Sequence, residues 1–515
     1  MAELPLILPY DQYNYELVAN VHPLDWKNPE PAPMYNLVII GAGTAGLVAA
    51  SIAAAVGAKV ALIEKRLIGG DCLNLGCVPS KTIISSSRIS EEVREAGSHG
   101  VKVICGAEAD FPAVMERMRR LRARISQHDS ASRYQEMGVD IFLGSGKFTG
   151  PHSAVVGDVE LKFKKALIGT GARPFVPPVE GLSEVGYLTN ENIFNLTARP
   201  ARFGILGGGA IGCEMAQAFG RLGSQVTIFQ RGNRLMEKED AEASAIIHEV
   251  FRREGIRIVL GDKKVTKVEK RGDEKIIFLE GPEGAGDRTE EVAVDELLIS
   301  VGRVPNVEGI GLEDAGVEFD VRSGVKVDEH LRSTNHDIYA AGDVCLKYKF
   351  THTADAAARV VAANALFSAR RKFSTASVPW CTFTDPEVAH VGLCPENGTC
   401  DGIQVDTFTR DFGEIDRTVL EGEEEGFVKI HVKKGTDRIL GATIVARNAG
   451  DMIGEIALAM QNGVGLKKIS ETVHPYPTRA EAIKRAADDY MASRLTSGVK
   501  KLLGKWMEMK RKGGA

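Results

Sequence analysis

One sequence pattern occurs twice in this chain, and it strongly limits what the chain can fold into. The first copy, Tyr35 to Lys65, has an apolar run, a turn with Gly41, Gly43 and Gly46, an Ala-rich segment and a second apolar run that ends in Glu64. Glycines at this spacing allow a tight turn and a close approach of a pyrophosphate to a helix N-terminus, and the acid meets a ribose hydroxyl. The pattern therefore predicts a strand–helix–strand unit that binds a dinucleotide, and a turn that serves packing alone is the alternative.

The second copy runs from Phe203 to Arg231 and has Gly207, Gly209 and Gly212 at the corresponding positions. The number of residues from the first glycine to the residue that ends the second strand is the same in both copies. In the second copy, however, that residue is Gln230 rather than an acid. Two such units in one chain predict one bound flavin and one visiting nicotinamide.

The residues that follow the second unit bear on which nicotinamide it binds. A carboxylate at the strand end repels a 2′-phosphate, and Gln230 removes that repulsion. Arg231 and Arg234 are close enough in sequence to pair with the phosphate. We therefore expect NADPH, with NADH as the open alternative if these arginines are ordinary surface residues.

Two cysteines, Cys72 and Cys77, lie close together just after the first unit, in the stretch GGDCLNLGCVPSK. Three interpretations compete: a structural disulfide, part of a metal site, or a redox pair. A zinc site would need further closely spaced ligands, and no second pair with fitting spacing is present in the sequence. The segment after Cys77 is predicted to be a helix, and a helix N-terminus lowers the pKa of a thiol, which favours the redox pair.

Composition excludes several classes of protein. The chain has 515 residues with a net charge of −5, which does not favour nucleic acid as a partner, and eight cysteines are too few for a disulfide-stapled secreted scaffold. Neither a signal peptide nor an apolar run long enough to cross a bilayer is evident. We expect a cytoplasmic protein of about three domains. In that compartment an ordinary pair of cysteines would stay reduced, which weakens the interpretation as a structural disulfide.

Together, these residues resemble the flavoprotein disulfide reductases, the group that includes lipoamide dehydrogenase, glutathione reductase and mercuric reductase. The resemblance extends from about Tyr35 to about Tyr490. The segments that carry it, besides the two glycine units, are GGDCLNLGCVPSK (Gly69 to Lys81), ALIGTGARP (Ala166 to Pro174), LLISVGRVPN (Leu297 to Asn306), TNHDIYAAGDV (Thr334 to Val344), VPWCTFTDPEVAHVGL (Val378 to Leu393) and ILGATIVARNAGDMIGEIALAM (Ile439 to Met460).

The resemblance implies an α/β fold with two Rossmann-like dinucleotide-binding domains, one for FAD and one for NAD(P), and a C-terminal α+β dimerisation domain. We expect an N-terminal extension (1–35), a FAD-binding domain in two parts (36–180 and 300–376), an NAD(P)-binding domain (181–299), a dimerisation domain (377–490) and a basic tail (491–515). Glu280 to Glu291 is predicted to be a solvated hairpin loop in the NAD(P)-binding domain. A homodimer is expected.

The resemblance also assigns roles to individual residues. Cys77 would be the thiol nearer the flavin, in charge-transfer contact with it, and Cys72 the interchange thiol that meets the substrate. Lys81 would approach the flavin and pair with Glu214; an ordinary surface ion pair is the alternative. Asp343 would hold the ribityl chain of FAD. Further cofactor-binding residues are expected at Thr170, Gly171 and Gly302, and no structural metal site is predicted.

Near the C-terminus, HPYPTRAE (His474 to Glu481) departs from the pattern of lipoamide and glutathione reductases. Those enzymes have a catalytic histidine before Pro-Thr and a glutamate five residues after it. Here that spacing places Tyr476 in the base position, with Glu481 as its carboxylate. A phenol with a pKa near 10 is a poor base at neutral pH. Two alternatives remain: His474 serves as the base, or Tyr476 is an interface packing residue.

A tyrosine at this position is similar to mercuric reductase, so the sequence predicts an NAD(P)H-dependent flavoprotein that reduces a metal ion or a small disulfide. Against this, the C-terminal cysteine pair expected of mercuric reductase is missing, and Cys394 and Cys400 are more simply surface thiols. The alternatives are a dihydrolipoamide dehydrogenase-like enzyme and a redox-sensing flavoprotein with little turnover.

The tail VKKLLGKWMEMKRKGGA is predicted to form a basic amphipathic helix, with Leu502, Leu503 and Trp506 on one side. A solvated terminal helix is the commoner role of such a segment. Attachment to an anionic lipid surface is the alternative.

Overall fold

The computed structural model describes residues 7–104, 108–281, 290–394, 399–400 and 402–512. Most of the predicted loop at 280–291 therefore lies outside the described residues. The helices are α1 Gln12–Val21, α2 Thr44–Ala55, α3 Gly70–Asn74, α4 Cys77–Glu95, α5 Phe111–Ser126, α6 Ala131–Glu136, α7 Leu182–Val185, α8 Ala210–Arg221, α9 Ala241–Arg253, α10 Thr351–Phe367, α11 Asp416–Glu421, α12 Ala449–Gln461, α13 Leu466–Glu471, α14 Glu481–Ser493 and α15 Ser497–Lys512.

The strands are, in chain order, β1 Tyr35–Ile40, β2 Val60–Glu64, β3 Val139–Leu143, β4 Gly146–Gly150, β5 Ser153–Val156, β6 Val159–Ile168, β7 Ala172–Pro174, β8 Arg202–Leu206, β9 Gln225–Phe229, β10 Arg257–Val259, β11 Lys264–Arg271, β12 Glu274–Glu280, β13 Glu290–Val294, β14 Glu296–Ile299, β15 Arg303–Pro305, β16 Phe319–Asp320, β17 Gly324–Val325, β18 Ile338–Ala340, β19 Pro379–Thr382, β20 Glu387–Gly392, β21 Thr399–Cys400, β22 Ile403–Asp411, β23 Phe427–Lys433 and β24 Ile439–Ala446.

The chain divides into two compact units. The first contains residues 1–234 and 251–375, and the second contains residues 235–250 and 376–515. The short stretch 235–250, which the sequence places inside the NAD(P)-binding domain, thus belongs with the C-terminal part of the chain.

The first unit contains two parallel sheets, one for each copy of the glycine pattern. In the first, β3, β2, β1 and β6 lie side by side and parallel, with β18 also paired to β6, and β5 and β4 add an antiparallel edge. In the second, β10, β9, β8 and β14 are all parallel. Strands β1 and β2 are almost continuously apolar and buried, as expected for parallel strands covered on both faces.

The second unit is built on an antiparallel sheet in the order β19-β20-β24-β23-β22-β21. Every residue of β24 is buried, and helices α12 and α14 contribute their apolar faces to the same core. The α/β class, with two dinucleotide-type sheets and a C-terminal α+β unit, agrees with the fold predicted from the sequence.

The N-terminal extension is part of the first unit rather than a separate arm. Leu17 and Val21 of α1 are buried in the core that surrounds β1. Arg122 of α5 donates a hydrogen bond to the Asn14 side chain (2.8 Å), and Asp11 caps the start of α1. Among the described residues, no helix is both long and apolar enough to cross a membrane.

Candidate active site

The two glycine turns have the same backbone geometry. Gly41 and Gly207 have φ angles of +105° and +112°, which L-residues with a side chain rarely adopt. A Cβ on Gly41 would lie 2.3 Å from the carbonyl oxygen of Gly169, and one on Gly207 would lie 2.6 Å from that of Ser300. Glycine is therefore required at both positions, because the turn passes directly against the neighbouring strand end.

The helices that follow these turns, α2 and α8, begin directly after Gly43 and Gly209, which are their N-cap residues. No side chain of the described residues caps either helix start. A Cβ on Gly209 would meet nothing within 4 Å, so the space in front of α8 is open. Uncapped amides, the partial positive charge of a helix N-terminus and a turn without side chains suit a pyrophosphate, so the residues present fit a dinucleotide.

The residues that end the second strands also make equivalent contacts. Glu64 Oε2 accepts a hydrogen bond from the Ala42 amide, and Gln230 Oε1 accepts one from the Gly208 amide, each at 2.8 Å. Burial raises the pKa of Glu64 even though backbone amides oppose that shift. Each side chain thus braces its own glycine turn, a role that the sequence analysis did not anticipate.

The third glycine of each turn sets how closely helix and turn pack. A Cβ on Gly46 or on Gly212 would lie about 2 Å from the carbonyl oxygen of the first glycine of its turn. Beyond the second turn, the Arg231 side chain is exposed and Arg234 is half-buried. Their contact with a 2′-phosphate stays a prediction.

The cysteine segment packs directly on the first glycine turn. The Gly69 amide donates a hydrogen bond to the Ala42 carbonyl (2.8 Å), and a Cβ on Gly70 would lie only 2.7 Å from the Cα of Gly43. Cys72 therefore lies in α3, immediately after the point of closest approach to the turn. This contact joins the predicted redox pair to the predicted flavin-binding turn.

Cys72 and Cys77 are both free thiols in this structure, and their environments differ. Cys77 is the first residue of α4 and is exposed, whereas Cys72 is half-buried. Hydrogen bonding between the two thiols is the main cause of both pKa shifts: it lowers the pKa of Cys77 and raises that of Cys72. Burial adds to the rise at Cys72, so Cys77 becomes the thiolate and Cys72 keeps its proton.

Two further side chains act on the Cys77 thiol. Thr351 Oγ1 lies 3.4 Å from Cys77 Sγ, and Lys81, one helical turn along α4, also lowers the pKa of Cys77. Lys81 Nζ lies 2.7 Å from Glu214 Oε2, and the Glu214 side chain is only 5% exposed. The ion pair expected from the sequence is thus present, while the approach of Lys81 to a flavin stays a prediction. Thr351 was missed because nothing in the sequence near it indicates contact with a cysteine.

Arg303 connects the cysteine segment to Asp343, the acid expected to hold the ribityl chain. Arg303 forms ion pairs with Asp71, next to Cys72, and with Asp343, where Nε and Oδ2 lie 3.4 Å apart. Burial raises the pKa of Asp343. Arg303 was not singled out in the sequence, although it lies inside the quoted motif LLISVGRVPN.

The second predicted flavin motif is held by side-chain and backbone hydrogen bonds beside the short strand pair of β7 and β15. Thr170 Oγ1 donates to the Asn306 carbonyl (2.7 Å), and the Asn306 amide nitrogen donates to the Gly171 carbonyl (3.0 Å). The Gly302 carbonyl accepts a hydrogen bond from Phe175 (2.9 Å). These residues therefore lie where the chain leaves and re-enters the first parallel sheet.

Tyr476 and Glu481 belong to the second unit, and the structure does not join them by a hydrogen bond. The Tyr476 hydroxyl donates to Asp416 (2.7 Å), which raises the pKa of the phenol, while Glu481 pairs with Arg485. Glu481 Oε2 is buried without a hydrogen-bond partner among the described residues.

His474 has a carboxylate of its own. Its Nε2 lies 3.0 Å from Glu455 Oε1, and the ring is buried. The sequence spacing predicted that Tyr476 pairs with Glu481, but Tyr476 is hydrogen-bonded to Asp416 instead. The histidine–carboxylate pair in this region consists of His474 and Glu455.

Of the two cysteines that the sequence analysis assigned as surface thiols, Cys394 and Cys400, only the first has a side chain that the structure describes. Cys394 is half-buried, and residues 395–398, between it and Cys400, lie outside the described residues. Among the side chains that the structure describes, no group of three or more His, Cys, Asp or Glu is arranged to hold a metal ion.

Comparison with known proteins gives consistent matches over most of the chain. The family model described as pyridine nucleotide-disulphide oxidoreductase matches residues 35–358, and the dimerisation domain of the same family matches residues 378–487. The mercuric reductase of Staphylococcus aureus is 36% identical over 88% of this chain and 82% of its own length. The dihydrolipoyl dehydrogenase of Chlamydia muridarum is 34% identical over 88% of this chain and 96% of its own length. The Cu(II) complex of the HOCl-induced flavoprotein disulfide reductase RclA from Escherichia coli matches with a TM-score of 0.77 at 28% identity, over 87% of this chain and 98% of that one.

Proposed function

The chain belongs to the pyridine nucleotide-disulphide oxidoreductase family, and from that premise we propose that it is an NADPH-dependent reductase of a thiol-reactive metal ion or a small disulfide. The family is FAD-dependent and uses NAD(P)H. The specific nicotinamide and the acceptor are part of the proposal.

One observation carries the proposal: the cysteine segment packs on the first glycine turn, and its two thiols differ in pKa. The contact between Gly70 and Gly43 holds the pair beside the predicted flavin site. Because the pKa of Cys77 is lowered and that of Cys72 is raised, Cys77 is the thiolate and Cys72 is the thiol that carries the proton. Such an arrangement is suited to thiol–disulfide exchange rather than to a static cross-link.

In the proposed reaction, FAD when bound would carry electron pairs between the nicotinamide and the cysteines. As the bond between Cys72 Sγ and Cys77 Sγ forms, the thiol–thiolate pair gives up two electrons and the proton of Cys72. A disulfide acceptor takes the two electrons, that proton and a second proton from solvent, and becomes two thiols. A divalent metal ion takes the two electrons, and the proton of Cys72 passes to solvent. Lys81 and Thr351 hold the negative charge on Cys77, and Arg303 fixes Asp71 beside Cys72.

The Tyr476 contact supports a metal ion as acceptor over a disulfide. Its hydroxyl donates to Asp416, and the raised pKa keeps the phenol protonated at neutral pH, so it is a poor base. Reduction of a disulfide needs proton handling at the leaving thiol, whereas reduction of a thiol-bound metal ion does not. The relatives named mercuric reductase are consistent with this preference.

A dihydrolipoyl dehydrogenase-like activity is the second candidate, because His474 Nε2 lies 3.0 Å from Glu455 Oε1, and an imidazole oriented by a carboxylate is suited to proton transfer. The two candidates respond differently to substitution. Tyr476→His should raise disulfide reduction under the first proposal, since the unpartnered Oε2 of Glu481 can orient the new imidazole. Under the second, His474→Gln should abolish dihydrolipoamide oxidation and Tyr476→His should change little.

We also propose that the protein is a homodimer through the segment that matches the family's dimerisation domain, residues 378–487. Light scattering on the purified holoenzyme should then give about twice the 55.5 kDa of one chain. A single-chain mass at micromolar concentration would contradict this assembly.

The decisive experiment is an acceptor screen on purified FAD-loaded protein, with NADPH or NADH and with Hg(II), oxidised glutathione or lipoamide. We expect steady NADPH oxidation with Hg(II) that is lost in both Cys72→Ser and Cys77→Ser. Cys394→Ser is the matched control, because it removes a half-buried thiol outside the site. Turnover that survives in both cysteine variants, or turnover with none of the acceptors, would overturn the proposal.

A further inference from the structure

The C-terminal helix α15 has no buried residue, although it carries several large apolar side chains. They include Leu502, which is 69% exposed, and Met509, which is 64% exposed. The whole exposed apolar set is Val499, Leu502, Leu503, Trp506, Met507 and Met509. Among the residues that the structure describes, none covers this set.

These side chains lie on one face of the helix. Val499, Leu502, Leu503 and Trp506 follow the three- and four-residue spacing that places side chains along one stripe, and Met507 and Met509 widen the stripe at the C-terminal end. We call this set the apolar stripe. On a helix whose opposite face is polar, an exposed apolar stripe of this size marks a surface that binds a partner or a membrane.

The charge of α15 is opposite to that of the rest of the chain. Its basic residues are Lys500, Lys501, Lys505, Lys510, Arg511 and Lys512, and its acid is Glu508. The helix therefore carries a net charge of +5 in a chain whose total is −5. Positive charge concentrated here favours a negatively charged surface as the partner.

The aromatic residue of the stripe has the surroundings of an interfacial anchor. Lys510 Nζ lies 4.3 Å from the centre of the Trp506 ring, and Lys512 forms a hydrogen bond with Glu508 (2.5 Å) one turn before it. Indole rings flanked by lysines are favoured at the boundary between lipid headgroups and acyl chains. Long lysine side chains can keep their ammonium groups in water while their stems cover apolar surface.

From these observations we propose that α15 lies flat on an anionic lipid bilayer, with the apolar stripe in the acyl boundary and the lysines at the headgroups. A bilayer accepts a continuous stripe without a matching groove, and its negative charge complements the +5 of the helix. The enzyme would thereby work at a membrane surface, and this inference does not depend on which acceptor it reduces.

The test is sedimentation of the FAD-loaded full-length protein with vesicles, of phosphatidylcholine alone or with 30% phosphatidylserine. We expect binding to the anionic vesicles at least tenfold stronger than to the neutral ones, and at least tenfold weaker binding when NaCl is raised from 50 to 500 mM. Trp506 emission should shift to shorter wavelength on binding, and Trp506→Phe should remove that shift.

Two variants with the same change in charge separate the stripe from charge alone. Leu502→Glu places a charge in the stripe and should weaken binding to anionic vesicles at least tenfold, whereas Gly504→Glu, on the polar face, should weaken it less than threefold. NADPH oxidation should be unchanged in both, which shows that the enzyme is folded.

Three results would overturn the inference. The first is no binding to anionic vesicles, and the second is equal loss of binding in both variants, which would indicate non-specific attraction to polyanions. The third is loss of self-association in Leu502→Glu without any lipid binding, which would assign the stripe to a second copy of this chain.

Discussion

At the scale of single residues, the chemistry of the candidate site depends on a difference between two thiols of the same kind. Cys77 shares a hydrogen bond with the Cys72 thiol, begins a helix, and lies near Lys81 and 3.4 Å from a threonine hydroxyl, and each of these features stabilises its negative charge. Cys72 lies within the short helix α3 and is half-buried, whereas Cys77 is exposed. The site thus needs no external base to obtain a thiolate near neutral pH.

Replacing Thr351 with valine should raise the pKa of Cys77, because it removes a hydroxyl that stabilises the thiolate and leaves the side-chain shape unchanged. Starting from about 6, we expect a rise of roughly one pH unit, as for the loss of one charge-assisted hydrogen bond. The rate of iodoacetamide labelling at Cys77 in the reduced protein, followed from pH 5 to 9 by mass spectrometry, measures it. Thr351→Ser keeps the hydroxyl and should titrate like the parent; equal pKa values in the parent and the valine variant would exclude this role.

Replacing Gln230 with glutamate should move the nicotinamide preference towards NADH. Glutamate can keep the hydrogen bond to the Gly208 amide, as Glu64 does to Ala42 in the first copy, so the turn should survive. The added charge repels a 2′-phosphate, and we expect kcat/KM for NADPH to fall about tenfold or more, with NADH little affected. Gln230→Met removes the hydrogen bond without adding charge and is the control. An unchanged ratio of the two kcat/KM values in Gln230→Glu would argue against the assignment.

At the scale of helices and strands, the ion pair between Lys81 and Glu214 joins α4, the cysteine helix, to α8 of the second glycine unit. Glu214 is almost fully buried, while Lys81 is about one-third exposed. The two partners therefore contribute unequally, because losing the lysine removes a cation that lies 2.7 Å from a buried carboxylate.

Replacing Lys81 with methionine should destabilise the protein more than replacing Glu214 with glutamine. After allowance for solvent screening at Lys81, we expect a loss of about 1 kcal/mol for the first variant, which corresponds to a fall in Tm of a degree or two. Adding Glu214→Gln to Lys81→Met should recover part of the loss, since a neutral amide then replaces the buried carboxylate. Calorimetry of the three variants gives the comparison, and a double variant less stable than either single one would contradict it.

The elements also show what a sequence can and cannot reveal. The glycine turns and the start of α4 at Cys77 were predictable, because tight turns and helix starts leave local signatures in residue type and spacing. The contact between Thr351 and Cys77 was not, since the two residues are far apart in the chain and threonine has many uses. The partners of Tyr476 and His474 were also missed, because spacing along the chain pointed to Glu481, whereas folding brought Asp416 and Glu455 to them.

At the scale of the whole molecule, the second unit takes in a short stretch from the middle of the chain. Residues 235–250 join residues 376–515, and within that unit Trp380 donates a hydrogen bond to Glu239 (2.7 Å) while Lys429 binds Asp240. Burial raises the pKa of Glu239 to about 7. These contacts were not predictable from the sequence, because the stretch 235–250 carries no motif that indicates them.

Stability of the second unit should therefore fall as pH rises from about 4.5 to about 7. Over this range the unfolded chain releases the Glu239 proton first, while the folded protein retains it until near pH 7, so the folded state loses its advantage with increasing pH. Glu239→Gln can still accept the Trp380 hydrogen bond, and we expect it to raise stability at pH 8 by on the order of 2 kcal/mol with little change at pH 4.5. Thermal unfolding at both pH values measures this, and Glu237→Gln, at an exposed acid of the same stretch, should change neither.

Because the second unit combines residues 235–250 with residues 376–515, it cannot fold completely until the end of translation. A ribosome finishes residues 235–250 long before it reaches residue 376, so this stretch must wait without its final neighbours while residues 251–375 are synthesised. A nascent chain arrested near residue 375 should then be cut by protease within 235–250, while the glycine turns are already protected. Residues 235–250 would thus become resistant to protease only after residues 376–515 have left the ribosome.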